Sequence, residues 1–346
     1  MEKETNLWKQ LKRPIIALAP MADVTDAAFR SIIAKYGKPD VMVTEFTSVD
    51  GLCSVGQKKL LVNFRYTEQE RPIVAQIFGS NPENFYKTAL LIQELGFDGI
   101  DINMGCPVNT IVRQGGGAAL MKDKELAQKI IAETKRGAGK LPVSVKTRLG
   151  YNTIDLNWIR AILDSRPAAL TVHLRTRKEM SDVPARWDAM PDILSLRNEL
   201  FGDSKKRPLI LGNGDVKNVT EACEKVTKYG CDGVMLGRAI FGNPWLFARI
   251  GRNASSGLRP DSPRFSRGIP PVPSLEEKLG VMLEHTALFE KLFAGIKNFD
   301  IMKKHYKAYV SGFDGAKELR GQLMNCKNAE EVKNVVLTAY PETIFA

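Results

Sequence analysis

A cysteine lies between a glycine and a proline directly after an apolar run, in the segment DINMGCPV (101–108). A turn needs Gly105 or Pro107, but it does not need a thiol, so Cys106 is a candidate for chemistry. A thiol on a short turn can deliver a proton to a bound substrate. The alternative is a small buried hydrophobe, the usual role of a free cysteine. The glycines of RQGGGAAL (113–120) predict either a flexible loop that admits the substrate or a plain connection.

Polar residues also end the other apolar runs of the first 250 residues. Lys146 has apolar neighbours in VSVKTR (143–148), so it is expected to point into the protein, where an unpaired charge is costly. An anionic ligand or the carboxylate of Glu45 would make this charge tolerable. His173 is either a site residue or a satisfied core histidine. The complete set is Pro20, Met21, Ala22, Glu45, Gln76, Asn103, Cys106, Lys146, Arg148, His173, Arg175, Arg177, Asn213, Asp215 and Arg238.

Two glycine-containing segments, GNGD (212–215) and GR (237–238), each precede a helical pattern or a short connection. Glycine lets backbone N–H groups approach a ligand, and a helix N-terminus favours an anion. Phosphate sites after the seventh and eighth strands are common in one class of barrel, and Arg238 could add a charge-assisted contact. The pair therefore predicts a phosphate site, with two ordinary tight turns as the alternative.

Short β-branched runs alternate with amphipathic helical patterns along the same region. This alternation predicts parallel strands with right-handed crossovers, and eight units in about 240 residues fit a closed (β/α)₈ TIM barrel. A doubly wound open sheet is the alternative. Because such a barrel carries its chemistry where the strands end, the polar residues above are expected to face one site. The predicted strands are 14–20, 40–46, 72–79, 99–105, 142–148, 169–175, 208–214 and 233–238.

The composition changes after residue 250. Residues 252–274 are rich in Pro, Ser, Gly and Arg and have no apolar period, which predicts a linker. Apolar residues then recur three and four positions apart in the segments 275–293, 296–310 and 316–326, so a small helical bundle is expected. We therefore predict a barrel domain over 1–250, a linker over 251–273 and a helical domain over 274–346.

The chain of 346 residues has 50 Lys+Arg against 39 Asp+Glu, a formal net charge of +11. Such an excess suits a polyanionic partner, although a basic protein without one has the same composition. Five cysteines without a CxxC pair argue against a disulfide framework and against a zinc site. The charged N-terminal segment and the lack of a long apolar run argue against a signal peptide and a membrane span. We expect a cytoplasmic monomer that binds neither metal nor membrane.

Taken together, these motifs resemble the tRNA-dihydrouridine synthase family. The resemblance runs through the predicted barrel into the tail, where KKHYKAYVSGFDGAKELR (303–320) is similar to the family's tail signature. Asp23 and Leu174 depart from the family's pattern, which commonly has Gly at both positions, and they flank the expected flavin site. The matching barrel segments are APMADVTDAAFR (19–30), VAQIFG (74–79), DINMGCPV (101–108), VSVKTRLG (143–150), TVHLRTR (171–177), GNGDV (212–216) and GVMLGRAIFGNPWLF (233–247).

Members of that family use FMN, reduced by NADPH, to saturate the C5–C6 bond of particular uridines in tRNA. The resemblance implies that hydride passes from flavin N5 to uracil C6 and that Cys106 supplies the proton to C5. It also implies that Lys146 stabilises negative charge on the reduced flavin, and we expect NADPH to be preferred over NADH. The residues implied to bind the cofactor are Pro20, Met21, Ala22, Gln76, Lys146, His173, Asn213, Gly214, Asp215, Gly237 and Arg238.

On the tRNA side, the resemblance implies that Asn103 faces the uracil and that Arg175 and Arg177 reach the RNA backbone. A uridine must leave its stack to reach a flavin in a barrel mouth, at a cost of a few kcal/mol. Distant phosphate contacts can offset this cost. The tail residues expected to make these contacts are Lys303, Lys304, His305, Lys307, Lys317 and Arg320.

Two other functions share part of this pattern. A small-molecule FMN reductase of the dihydropyrimidine or dihydroorotate dehydrogenase type would have the same barrel and phosphate loops, but it would not need a basic helical tail. A tRNA-binding protein with a vestigial flavin site would bind tRNA without turnover. The presence of both Cys106 and Lys146 argues against the second alternative.

Overall fold

Eight parallel strands form a closed ring in the computed structural model, which describes residues 6–248 and 273–343. Hydrogen-bonded neighbours follow the order β1-β9-β8-β7-β6-β5-β4-β2, and a parallel bridge between Ala17 and Val41 joins β1 to the segment that leads into β2. A short strand, β3, extends the second position and pairs with the end of β4. The strands are β1 Ile15–Leu18, β2 Met42–Val43, β3 Thr47–Ser48, β4 Ile73–Phe78, β5 Gly99–Met104, β6 Val143–Arg148, β7 Ala169–His173, β8 Leu209–Asn213 and β9 Gly233–Leu236.

The closed ring confirms the predicted TIM barrel. An open doubly wound sheet would leave two unpaired edge strands, whereas β1 here has neighbours on both sides, so that alternative is wrong. Each predicted strand is present and is shorter than its apolar run, by up to three residues at either end, because the outer residues of a run belong to the loops.

Helices flank the ring and continue after it. Several begin as their sequences indicate: the side chain of Asn81 caps the helix that starts at Pro82, and the side chain of Asn218 caps the helix that ends before Gly230. The helices are α1 Leu7–Gln10, α2 Ala27–Tyr36, α3 Val49–Leu52, α4 Gln57–Leu60, α5 Pro82–Glu94, α6 Asn109–Arg113, α7 Lys124–Ala138, α8 Leu156–Asp164, α9 Met190–Phe201, α10 Val219–Tyr229, α11 Leu275–Phe293, α12 Met302–Tyr309, α13 Ala316–Leu323 and α14 Ala329–Ala339.

The first of two compact units contains the ring. It comprises the residues up to Met21 together with Asp40–Arg65 and Arg71–Gly237. Alternate strand residues such as Ala17, Val43 and Val74 fill the interior, and Trp8 of α1 packs into the same cluster at the end where the strands begin. The opposite end of the strands is therefore left for polar side chains.

The second unit combines three separate parts of the chain: Ala22–Pro39, Tyr66–Glu70 and the residues from Arg238 onward. Within it, α2 packs against α11, and a fully buried ion pair joins Arg30 to Glu70 at 2.7 Å. The helices predicted from Leu275 are confirmed, and α14 is an additional helix. The predicted linker lies almost entirely outside the described residues. The domain boundaries stay a prediction, although the two early segments of this unit fall inside the predicted barrel domain.

Candidate functional site

A line of hydrogen bonds crosses the interior face of three neighbouring strands. Nδ2 of Asn103 donates to Oε1 of Gln76 at 3.0 Å, and Nε2 of Gln76 donates to Oδ2 of Asp101 at 2.7 Å. The hydroxyl of Ser144 completes the line by donating to Oδ1 of Asp101 at 2.6 Å. All four side chains are buried. The line fixes the orientation of the Gln76 amide, because swapping its oxygen and nitrogen would break both of its bonds.

Asp101 and Ser144 were not among the predicted site residues. Each is a polar residue inside an apolar run, two positions away from a predicted site residue on the same strand. Because strand side chains alternate, Asp101 shares a face with Asn103, and Ser144 shares a face with Lys146. The two-residue spacing is therefore the sequence signal that could have identified Asp101 and Ser144 as site residues.

Lys146 lies beside this line on β6, paired in register with Asn103. Burial lowers the pKa of Lys146 to about 8, with a further lowering from Arg148, while Asp101 opposes the shift. Burial also raises the pKa of Asp101 to about 6, against its hydrogen bonds from Ser144 and Gln76. The carboxylate that acts on Lys146 is thus Asp101 rather than Glu45. In the described part of the chain, the Lys146 ammonium makes no hydrogen bond or ion pair with protein, so it is available to a ligand.

The side chain of Asn103 holds the turn that carries Cys106. Its Oδ1 accepts the backbone N–H of Gly105 at 3.1 Å and that of Cys106 at 2.9 Å. With Nδ2 bound to Gln76, both ends of the amide contact protein. The geometry therefore makes Asn103 the residue that fixes the thiol turn, and its predicted contact with uracil stays a prediction.

Gly117 packs directly against the Cys106 turn. Its φ is 58°, and a Cβ there would lie 2.8 Å from the carbonyl oxygen of Cys106 and 3.1 Å from its Cβ. A 3₁₀-helix over Gly117–Lys122 follows, and the N–H of Ala118 donates to the Cys106 carbonyl at 3.0 Å. Close approach and left-handed backbone require this glycine. The segment from Gly117 is thus a short 3₁₀-helix, and the flexible loop predicted over 113–120 stays a prediction.

Cys106 is 8% exposed. Burial raises the pKa of its thiol, while the N–H of Val108 and the positive charges of Arg148 and Lys146 partly oppose the shift. The thiol is therefore protonated at neutral pH. A protonated thiol on a fixed turn can act as a proton donor, and nearby positive charge would stabilise the thiolate that is left.

Arg148 connects the thiol turn to the loop after β7. Nε donates to the carbonyl of Gly105 at 3.0 Å, and Nη1 donates to the carbonyls of Thr176 at 3.1 Å and Met180 at 2.8 Å. The residue is buried, and burial lowers the pKa of its guanidinium to about 10. Three neutral carbonyls satisfy this buried cation while leaving its charge uncancelled beside the thiol.

Arg175 is only 2% exposed. Its guanidinium donates to the carbonyl of Val183, pairs with the carboxylate of Asp215 and lies 3.1 Å from Nε2 of His173. Asp215 also accepts the N–H of Ala185 at 2.8 Å. These contacts order the loop after β7. The predicted contact of Arg175 with the RNA backbone stays a prediction.

The GNGD segment forms a tight loop at the end of β8. Nδ2 of Asn213 donates to the carbonyl of Met235 on the neighbouring strand at 2.8 Å. Gly214 has a φ of 130°, and a Cβ there would lie 2.7 Å from the Cβ of Ala185, so only glycine fits. Asp215 has a φ of 53°, which Asp adopts more readily than most residues.

Gly237 follows β9, and Pro20 and Met21 follow β1. A Cβ on Gly237 would lie 3.7 Å from Sδ of Met21, which is an ordinary contact. Protein packing therefore does not demand glycine at this position, as expected where a ligand approaches the backbone. Ala22 and Arg238 are exposed and belong to the second unit. Their cofactor contacts stay a prediction.

The chain matches the profile of the family described as dihydrouridine synthase (Dus) over residues 17–345. The chain belongs to the dihydrouridine synthase family. A probable tRNA-dihydrouridine synthase of Staphylococcus aureus (strain COL) is 40% identical over 332 residues, which are 95% of this chain and 94% of that protein. The probable tRNA-dihydrouridine synthase 2 of Bacillus subtilis (strain 168) has the same identity and coverage. Among solved structures, morphinone reductase is 10% identical with a TM-score of 0.49, covering 70% of this chain and 87% of that chain.

Family membership makes the chain an oxidoreductase. Within residues 6–248 and 273–343, no group of three or more His, Cys, Asp or Glu could hold a metal ion. None of the helices in those ranges is both long enough and apolar enough to cross a membrane.

The two departures from the dihydrouridine synthase pattern are accommodated differently. Asp23 has a φ of 54°, so the backbone keeps the left-handed conformation that favours Gly at this position. Leu174 is fully buried, and its backbone bonds to Asn213 at 2.9 Å and Arg186 at 2.7 Å. Its φ is not positive, so the backbone does not require glycine there.

The predicted basic face of the tail is smaller in the structure. Lys303 pairs with Asp300 at 2.6 Å, and Nη1 of Arg320 donates to the carbonyl of Val310 at 2.7 Å. His305 is fully buried, and its predicted contact with tRNA stays a prediction. The other predicted cations are Lys307 and Lys317, which are exposed, and Lys304, which is half-buried.

Proposed function

We propose that this dihydrouridine synthase reduces the C5–C6 bond of particular uridines in tRNA, with FMN as cofactor and NADPH as reductant. The observation that carries the proposal is the buried, protonated thiol of Cys106, held by Asn103 next to the free ammonium of Lys146. The names of the bacterial relatives support tRNA as the substrate. A tRNA substrate is also consistent with the predicted cytoplasmic location.

The residues at the barrel mouth fit a flavin phosphate and a polar ring edge. The Lys146 ammonium needs an acceptor, and the fixed Gln76 amide has one N–H to spare after its bond to Asp101. Gly237 allows close approach of a ligand to the backbone. When bound, FMN supplies the hydride for the reduction. The residues proposed to hold it are Pro20, Met21, Gln76, Lys146, His173, Asn213, Gly214, Asp215 and Gly237, with Ala22 and Arg238.

Cys106 supplies the proton that completes the reduction. Adding a hydride at C6 and a proton at C5 saturates the double bond, and the proton leaves Sγ as the new C5–H bond forms. The remaining thiolate lies near the positive charges of Arg148 and Lys146, which stabilise it. Asn103 and Gly117 keep Sγ in place, because Asn103 accepts the N–H of Cys106 and Gly117 packs against its carbonyl.

We propose further that the helical second unit contributes tRNA affinity rather than chemistry. Its exposed cations, Lys307 and Lys317, are available for phosphates, whereas the half-buried Lys304 is paired with Asp23 at 3.9 Å. Phosphate contacts position a nucleic acid without reading its bases, as needed when one uridine of a large RNA must be held at the thiol.

The test is dihydrouridine formation in unmodified tRNA, measured by mass spectrometry of the digested RNA. Cys106→Ala is expected to lose about 10²–10⁴-fold in rate, the range of general acid catalysis. Reduction of the bound flavin by NADPH should persist. Cys53→Ala, at an exposed free cysteine, is the matched control and should keep the parent's rate. Equal rates for Cys106→Ala and the parent would exclude the proton-donor role.

Flavin identity and substrate size test the rest of the proposal. Heat-released cofactor is expected to be FMN, and recovery of FAD would contradict the single-phosphate site. A protein that rapidly reduces free uracil, or that interconverts orotate and dihydroorotate, but does not modify tRNA would instead favour the small-molecule reductase.

A further inference from the structure

Two cations of the first unit share the ring of Tyr151. Nζ of Lys122 lies 4.1 Å from the ring centroid, and Cζ of Arg177 lies 5.3 Å from it. Since both distances are measured to one point, the two charges are within about 10 Å of each other, which is close to the Debye length at 0.1 M salt. Their mutual repulsion is therefore only partly screened.

Loops that follow three neighbouring strands build this cluster. Nη2 of Arg177 donates to Oδ1 of Asn109 at 2.7 Å, and Asn109 is three residues beyond Cys106. The N–H of Arg177 also donates to the carbonyl of Gly150 at 2.8 Å, next to Tyr151. The cluster thus lies on the same loop face of the barrel as the thiol, and its position is fixed by hydrogen bonds.

No carboxylate in residues 6–248 and 273–343 forms an ion pair with Lys122 or Arg177. Two acidic residues of the same loops have other partners: Asp155 pairs with Lys124 at 3.2 Å, and Glu179 pairs with Arg186. A cation–π contact at an exposed site is worth about 0.5–1 kcal/mol and leaves the charge uncancelled. In addition, Nε of Arg177 is buried without a hydrogen-bond partner. The cluster therefore has unused capacity to bind an anion.

Exposed apolar side chains come from the same three loops. Val108 precedes Asn109, Ile154 follows Tyr151 by three residues, and Met180 follows Arg177 by three residues; each is at least 40% exposed. A ligand that combines an anionic group with a flat apolar one matches this composition better than a bare ion does. Nucleotides have both features.

We propose that Lys122, Tyr151 and Arg177 form a phosphate-ester site for a nucleotide bound next to the Cys106 turn. This proposal rests on the proposed function, which supplies two nucleotide sources: the tRNA backbone beside the target uridine and the phosphates of NADPH. Tyr151 orients the two cations, and Asn109 fixes Arg177. Binding of a phosphate beside the cations relieves their repulsion.

The experiment uses the flavin-loaded full chain with Lys122→Ala and Tyr151→Ala. The matched control is Lys228→Ala, which removes an exposed lysine from the ring of Tyr229 on outer helix α10, at 5.2 Å. One arm measures tRNA binding between 50 and 200 mM salt. The other measures flavin reduction without tRNA, using NADPH and NADH in parallel.

A three- to tenfold weaker tRNA affinity in both variants, with a salt slope lower by about 0.7–0.9 for Lys122→Ala, supports an RNA phosphate. A higher KM for NADPH but not for NADH supports the phosphate that only NADPH carries. Tyr151→Phe keeps the ring and is expected to restore most of the loss seen with Tyr151→Ala. If both variants match Lys228→Ala in both arms, the phosphate site is overturned. A parent protein that binds tRNA but forms no dihydrouridine contradicts the proposed function without affecting these comparisons.

Discussion

The barrel mouth and the helical unit both bury ionisable side chains, but they surround them differently. At the mouth, the carboxylate of Asp101 accepts two hydrogen bonds, and the guanidinium of Arg148 donates to three carbonyls. In the helical unit, the ring centroids of His285 and His305 lie 4.6 Å apart. None of their ring nitrogens has a hydrogen-bond partner in the described residues.

Aromatic rings replace those partners in the helical unit. Phe29 stacks on His285 at 4.8 Å and meets His305 edge-on at 4.8 Å. Burial lowers the pKa of His305 to about 3, with a further lowering from Lys304, and burial together with His305 lowers the pKa of His285. Both imidazoles are therefore neutral rings in an aromatic core.

The difference shows that a buried polar residue indicates a chemical site only when its surroundings leave it close to titration or open to a ligand. Lys146 and Asp101, with pKa values of about 8 and about 6, meet that condition on either side of neutral pH. The histidine pair does not, because its surroundings keep the imidazoles uncharged over the same range.

The largest expected effect comes from removing the cation of the barrel mouth. Arg148→Met leaves three carbonyls without their donor, so we expect a loss of about 3–5 kcal/mol in the free energy of unfolding and about 10²-fold in dihydrouridine formation. The Cys106 thiol should also become less acidic, because a nearby positive charge is lost. Alkylation of Cys106 followed against pH measures this shift, with Cys53→Ala as background and Arg148→Lys as a partial rescue. An unchanged alkylation profile would limit Arg148 to a purely structural role.

The second largest expected effect is a loss of stability of the helical unit at acidic pH. The unfolded chain protonates histidine near pH 6.5, whereas folded His305 stays neutral down to about pH 3, so stability falls as the pH drops through this window. We expect about 2 kcal/mol less free energy of unfolding at pH 5 than at pH 6.5 for one imidazole.

Urea unfolding of the parent and of His305→Phe at pH 7, 6 and 5 measures that slope. The variant keeps an aromatic ring beside Phe29 and should lose part of the pH dependence. His173→Gln, at the remaining histidine, should keep it. Parallel slopes for the parent and His305→Phe would contradict the neutral pair.

A smaller effect is expected from the charge of Lys146. If reduction needs the ammonium, dihydrouridine formation should fall as the pH rises through about 8, by up to about tenfold per pH unit. Asp101→Asn removes the negative charge that raises the pKa of Lys146, so the falling limb should move to lower pH. A pH–rate profile with saturating tRNA and NADPH tests this. If the falling part of the pH–rate profile does not shift in Asp101→Asn, deprotonation of Lys146 is not its cause.

The smallest effects are expected at the surface of the helical unit. Lys307→Ala and Lys317→Ala should each weaken tRNA binding by less than about 1 kcal/mol and together lower its salt slope by up to about two counterions. Lys303→Ala is the comparison, because Lys303 is already paired with Asp300. Binding isotherms at three salt concentrations measure the three single variants and the double variant. Equal slopes in the double variant and the parent would remove these lysines from the RNA surface.

The sequence predicted the barrel because each strand is a short apolar run with a helix or loop after it. It also predicted the thiol turn and the glycine loop at 212–215, since glycine marks positions where backbone geometry or close approach decides the residue. The helix α14 was missed, although Asn328 and Glu331 signal its start.

Side-chain partners that are far apart in the chain could not be predicted from the sequence in the same way. Residue type gives the charge of Arg175, but only the fold supplies Asp215, 40 residues away, as its partner. The burial of His305 likewise depends on Phe29, which is far away in the chain. Asp300, in contrast, is three residues from Lys303 and could have been identified from the sequence.

The packing of α2 against α11 has a consequence for biosynthesis. About 240 residues separate the end of α2 from the start of α11, so at about 5–20 residues per second α2 leaves the ribosome tens of seconds before its partner. During this interval Phe29 on α2 lacks His285 of α11, on which its ring will stack. Yield of soluble chain, rather than stability of the finished protein, is then the property that added hydrophobicity on α2 should reduce first.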